Sequence, residues 1–176
     1  MNNELGSIST GHLDRDLYTS SQTGERALNA AIIQANICES FEEFLEIFDE
    51  FYADDIEVKS ETAEEPIRGK ARVRTLIATF LVPLHVMAEL NGLLISIRQT
   101  AIPGDVAGET QSAWTLELVG VTGRTCTVSW CTLRKWNGSR VVYEHHYGHQ
   151  QSGGPLTSDD LSLNAATSAA DFRRPS

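Results

Sequence analysis

Hydrophobic positions between residues 23 and 150 are mostly helical in period up to Pro83 and alternate from His85 on, which predicts helices first, around one short strand, and a run of strands afterwards. In TGERALNAAIIQANI (residues 23–37), Leu28, Ile32 and Ala35 fall on one face, and Thr23 is placed to cap the N-terminus. The segment SFEEFLEIFDEFYADD has Ser40 followed three residues later by Glu43, a capping box. Its Phe41, Phe44, Leu45, Phe48, Phe51 and Tyr52 recur at helical spacing, a stripe read as core packing. IEVKS then alternates as a short strand, and EEPIRG ends in glycine. KARVRTLIATFL predicts a third helix with Val73, Leu76, Ile77 and Phe80 on one side, stopped by Pro83, which lacks an amide proton.

From His85 onward four strand-like runs follow: HVMAELNGLLISIRQTAI, VAGETQSAWTLELVGV, TCTVSWCTLRKW and SRVVYEHHYGHQ. PGD, TGR and NGS separate them, and turns this short predict sequential antiparallel pairing. Helices followed by hairpin-linked strands give an α+β fold in which helices cover one face of a curved antiparallel sheet. Its concave side suits a small ligand. Residues 1–22 and 151–176 are rich in small polar residues with little apolar periodicity, and are read as tails flanking one domain over 23–150.

Composition narrows the function. The 14 Lys plus Arg against 24 Asp plus Glu give a formal net charge of −10, whose field repels nucleic-acid backbones and anionic lipid; neither is an expected partner. Three cysteines without C-x-x-C spacing support neither a disulfide framework nor a zinc knuckle. No run of about 18 apolar residues predicts a membrane span, and the N-terminal stretch lacks a basic region followed by an apolar one. The expectation is a reduced, cytoplasmic protein.

Three of the five histidines lie in VVYEHHYGHQ (residues 141–150). On a regular strand rising about 3.3 Å per residue, His145 and His146 face opposite sides, and His145 and His149 stand about 13 Å apart. No regular strand lets two of these three share a metal, so no metal is expected. Parity leaves two faces: Val142, Glu144, His146 and Gly148, or Val141, Tyr143, His145, Tyr147 and His149.

Three passages together resemble the nuclear transport factor 2-like superfamily, and within it the SnoaL-like proteins. FDEFYADDIEV (48–58) resembles the family's helix exit into a first strand, PIRGKARVRTLI (66–77) its entry to the third helix, and KWNGSRVVYEHHYG (135–148) its last hairpin. The resemblance covers about residues 25–150 and implies a cone-like cup with N-terminal helices packed across the sheet, a cystatin-like α+β barrel. It also implies that Glu144 and His146 face inward. The ketosteroid isomerase base falls at Ser60, a poor base, while the last-strand base of the epoxide hydrolases falls at His146.

The expected function is cofactor-independent acid–base chemistry on a small apolar metabolite: isomerisation, cyclisation, dehydration or epoxide opening. His146 would be the acid–base residue, with Glu144 or Asp55 as the complementary carboxylate and Tyr52 a hydroxyl donor. Trp114, Trp130, Phe80 and His85 would line the ligand site. The alternative is a non-catalytic ligand-binding or dimerisation module of the same fold. A homodimer is expected.

Overall fold

The computed structural model describes residues 10–35, 41–79, 93–102 and 106–161. Helices α1 (Thr10–Ala35) and α2 (Phe41–Phe51) lead into strand β1 (Tyr52–Ser60), the short β2 (Ile67–Arg68) and a helix α3 over residues 70–79. Strands β3 (Leu94–Ile102), β4 (Glu109–Val119), β5 (Thr125–Asn137) and β6 (Arg140–Gly153) follow, and a 3-10 turn spans Ser158–Leu161. Among the described residues no helix is long and apolar enough to cross a membrane.

The strands form one curved, unclosed six-stranded sheet in the order β2-β1-β6-β5-β4-β3, and the helices pack on it. The α+β cup expected from the sequence is therefore present, with one correction to its pairing. β3 to β6 pair antiparallel in sequence order and β2 is antiparallel to β1, but β1 lies parallel to β6. Turn signals between β3 and β6 dictate hairpins. No such turn joins β1 to β6, so only the packing of the helices decides their relative direction.

The apolar core joins Leu28 of α1, Phe48 of α2, Tyr52, Ile56 and Val58 of β1, Val73 of α3, and Trp136 and Val141 of the last hairpin. Phe48 and Tyr52 stack with ring centroids 4.3 Å apart, so that part of the aromatic stripe is core as expected. Ser40 lies outside the described residues, as do the side chains of Phe41 and Phe44.

Regular structure extends into both segments read as tails. α1 begins at Thr10, and Thr23 sits within it, donating its hydroxyl to the Thr19 carbonyl at 2.9 Å instead of capping. The stripe that α1 buries is polar, with Ser21, Glu25 and Asn29 at four-residue intervals beside Leu28, so a search for apolar periodicity passes over it. At the other end β6 continues to Gly153. Asp160, 1 % exposed, accepts hydrogen bonds from Thr122 and from the amide and hydroxyl of Thr157, fastening the 3-10 turn to the β4–β5 hairpin.

Two bulges in β6 decide which residues reach the helix-covered face. Lys135 pairs with Tyr143 but Trp136 pairs with Val141, so Val142 is an extra residue on β6 and Val141 and Glu144 are both buried despite their odd spacing. A second shift lies between the pairs Ser129–Gln150 and Cys131–Tyr147, at Gly148, whose φ of 67° is a conformation that glycine adopts without a Cβ penalty. It turns His149 onto the face of Trp130, where the rings stack at 6.5 Å. The inner set is therefore Val141, Glu144, His146 and His149, correcting the strict alternation expected of a regular strand.

Candidate functional site

On the face covered by α1 the sheet carries a buried polar cluster built around Arg134. Arg134 shares its face of β5 with Thr132 and Trp136, and Thr110, Ser112 and Trp114 alternate inward from β4. Arg134 Nε donates to Glu144 Oε2 at 2.5 Å, and Nη1 donates to Glu25 Oε1 at 2.8 Å and Asn29 Oδ1 at 2.9 Å. Glu25 is further held by the hydroxyls of Ser112 (2.6 Å) and Thr110 (2.8 Å) and by the Asn29 amide (2.9 Å). Trp136 Nε1 donates to Thr110 at 2.8 Å. Two carboxylates are thus buried around one guanidinium, which is tolerable only because each has several donors.

Glu144 links this cluster to His146. Its Oε2 accepts from the Tyr52 hydroxyl at 2.5 Å as well as from Arg134, and its Oε1 lies 2.7 Å from His146 Nε2. Burial pushes the Glu144 carboxyl upward, but the Arg134 and His146 beside it, with the hydrogen bonds from His146 and Tyr52, hold it well below the ordinary carboxylate range. It is an ionised anchor across the physiological range. Burial, reinforced by the Glu144 charge, keeps the Tyr52 hydroxyl protonated far above its usual range, so it serves as a donor. Burial opposes the Arg134 charge, yet the Glu144 and Glu25 carboxylates together more than restore it.

The other ring nitrogen of His146, Nδ1, lies 3.3 Å from the Thr132 hydroxyl. Ser60, the position of the isomerase base in the resemblance, is the parallel-register neighbour of His146, and its hydroxyl is bonded to Thr62. Next along the same face Trp130 lies between Trp114 (6.2 Å) and His149 (6.5 Å) in a continuous stack. Trp114 is buried, with the Arg134 guanidinium 6.0 Å from its ring, and its Nε1 has no acceptor among the described residues. The opposite face of β6 carries His145 and Tyr147, whose rings are 5.4 Å apart. Burial, with Lys59 and His146 nearby, lowers the His145 pKa.

Of the residues singled out from the sequence, the structure brings Tyr52, Glu144 and His146 into direct contact and places Trp114 and Trp130 on their face. Tyr52 differs from expectation in one respect: its hydroxyl is committed to Glu144, so it positions a carboxylate instead of meeting a ligand oxyanion. Asp55 is not in the cluster. β1 buries Tyr52, Ile56 and Val58, and its register shift between Tyr52 and Glu57 leaves Asp54 and Asp55 exposed. Phe80 and His85 lie outside the described residues.

Sequence reasoning missed Arg134, Glu25, Asn29, Thr110 and Ser112. A signal for part of this existed: Arg134 shares strand parity with Thr132 and Trp136, and a cation amid inward positions demands buried anions. Glu25 and Asn29 were not findable from α1 alone, because four-residue spacing of polar residues is also what an exposed helix face shows. Among the described residues no group of three or more His, Cys, Asp or Glu is placed to hold a metal ion.

No protein-family model matches the chain, and no curated protein matches it. Solved structures do. A computationally designed 17-OHP binder shares 15% identity over 74% of this chain and 96% of its own, with a TM-score of 0.50. An NTF2-like protein of unknown function from Cytophaga hutchinsonii shares 14% identity over 71% of this chain and 96% of its own, with a TM-score of 0.48. A candidate SnoaL-like polyketide cyclase from Mesorhizobium loti shares 14% over 72% and 97%, with a TM-score of 0.46. At such identities the likeness speaks for fold alone. The architecture of this chain, helices packed on a curved, unclosed six-stranded sheet, is that of the NTF2-like cone fold.

Proposed function

We propose that this protein binds a small, largely apolar metabolite on the inner face of its sheet and performs cofactor-independent proton transfer, with His146 as the acid–base residue. The observation that carries the proposal is the 2.7 Å contact between His146 Nε2 and a Glu144 carboxylate that Arg134 and Tyr52 hold ionised. Glu144 accepts a hydrogen bond from Nε2–H, which fixes the ring tautomer and leaves Nδ1, beside Thr132, as the nitrogen that takes a proton from the ligand.

Trp130, over Trp114, supplies an apolar wall beside the histidine. Isomerisation, cyclisation, dehydration and epoxide opening all fit such a group. The proposal includes a cytoplasmic homodimer that needs no metal or cofactor and acts on neither nucleic acid nor membrane.

One observation favours a second reading, a binding module without chemistry: both Glu144 oxygens and both His146 ring nitrogens already have partners within the chain. A thermal-shift screen of polyketides, terpenoids and steroids, followed by turnover of any stabilising compound, separates the two. Acid–base catalysis predicts turnover by the native chain and its loss in His146→Ala with binding retained. Binding without turnover supports the module, and stabilisation by none of the three classes overturns both.

A further inference from the structure

His149 of β6 belongs to a second carboxylate–histidine pair that no functional reading above uses. Glu61, immediately after β1, extends its carboxylate across to the Gly148 bulge. Its Oε2 accepts from the Gly148 amide at 2.9 Å, and its Oε1 accepts from the His149 amide at 2.7 Å and lies 3.1 Å from His149 Nδ1. The two amides and the ring converge on one carboxylate because the bulge turns successive N–H groups the same way. Those hydrogen bonds, the His149 amide first and the Gly148 amide second, lower the Glu61 pKa. Glu61 is thus an acceptor fixed by the backbone.

An ionised acceptor at Nδ1 selects the tautomer that has its proton there. Nε2 then carries the lone pair, and among the described residues it has no hydrogen-bonding partner. Stacking on Trp130 fixes the ring plane. His149 keeps 31 % of its side-chain surface exposed, so a ligand can reach it. This is the reverse of His146, whose two ring nitrogens both face protein groups.

The pairing register sets the spacing. His146 opposes Thr132, and His149 stacks on Trp130, two residues along the same strand. Neighbouring positions on one face of a strand are about 6.6 Å apart. Two imidazoles so placed can flank one small molecule.

We propose that Glu61 orients His149 as a second proton-transfer residue, so that His146 and His149 act as a base and acid pair on one ligand. The inference rests on the acid–base reading above and narrows it to reactions that move a proton from one atom to another. One imidazole, neutral, accepts a proton from the ligand as the other, entering as imidazolium, donates one to a site a few bonds away, so that the ligand's formula is unchanged, as in a double-bond isomerisation. The two histidines then exchange protons with water to return to their starting states. Glu61 is a positioning residue here and touches no ligand.

Two experiments on the full chain test this. The first needs no ligand: long-range proton–nitrogen NMR of the histidine rings reports the tautomer. His149 is expected as the Nδ1–H form, and Glu61→Gln is expected to shift it toward Nε2–H while leaving His146 unmoved. A wild-type His149 in the Nε2–H form, or a tautomer indifferent to Glu61→Gln, overturns the dyad.

The second uses 5-nitrobenzisoxazole, whose ring opens when a base removes its C3 proton: a nitrile forms as the N–O bond breaks, and the oxygen becomes the phenolate of the cyanophenolate product. His146→Ala and His149→Ala are each expected to lower the rate at least tenfold, and His149→Gln, which keeps the bulge filled, to behave like His149→Ala. A rate lowered by His146→Ala but untouched by both His149 variants overturns this inference alone. A native rate no greater than that of equimolar free imidazole overturns the shared acid–base reading.

Discussion

Replacing Arg134 with methionine tests the account of the buried cluster most directly. Arg134 donates to Glu144, Glu25 and Asn29 at 2.5, 2.8 and 2.9 Å and is 3 % exposed at its side chain. Methionine fills much of the volume but leaves two buried carboxylates facing each other without a cation. Breaking a buried ion pair by removing one partner costs about 3–5 kcal/mol. For a chain of this size each kcal/mol is worth about 2–4 °C in Tm, so a loss of about 6–20 °C is expected. Urea unfolding at pH 7 should show a lower midpoint with an unchanged m-value.

The pH dependence provides the sign. Without Arg134 the burial of Glu144 loses its main opponent and the Glu144 pKa rises, so that carboxylate takes up a proton as the pH falls and the defect shrinks with it. The triple variant Glu25→Gln, Arg134→Met, Glu144→Gln removes every charge and is expected to regain most of the lost stability, since no uncompensated ion is left buried. A single variant within about 1 kcal/mol of wild type, or a defect that grows as the pH falls, would refute the reasoning.

Other outcomes follow from the same geometry. In the native chain Glu144 titrates lower folded than unfolded, so its contribution is complete above its ordinary value of 4.5 and is lost as the pH falls below it; circular dichroism melts from pH 6 to pH 2 should show this, and Glu144→Gln should flatten it. Tyr52→Phe leaves the ionised Glu144 one donor short and should cost about 1.5–3 kcal/mol in urea unfolding. Gly24→Ala would set a Cβ 2.8 Å from Trp136 Cζ3, and Trp136 is buried and tied to Thr110, so overpacking should cost about 1–3 kcal/mol. Asp160 is held at about 2, below its ordinary 3.8, by the Thr122 hydroxyl and the Thr157 amide. Limited proteolysis should therefore find the C-terminal segment opening as the pH falls from 3.8 toward 2, and already open at neutral pH in Asp160→Ala.

Sequence patterning determined the parts of this protein that depend on local chemistry. The aromatic spacing through Phe48 and Tyr52 made a helix that ends in the core, and the turn-forming triplets after β3 made hairpins. Strand alternation put Glu144 and His146 on one face, because a period of two needs no tertiary information. Resemblance of three short passages then carried the chain to its fold. Tertiary structure decided what local pattern cannot hold. The parallel pairing of β1 with β6 depends on where the helices deposit β1. The bulges at Val142 and Gly148 reset the alternation, and the second puts His149 on the same face as His146, although regular alternation separates them. The polar stripe of α1 reads as solvent-facing until Arg134, 105 residues beyond Asn29 and 109 beyond Glu25, arrives to neutralise it. A buried charge is a property of two distant segments at once, since neither Glu25 nor Arg134 is tolerated in the interior until the fold supplies the other.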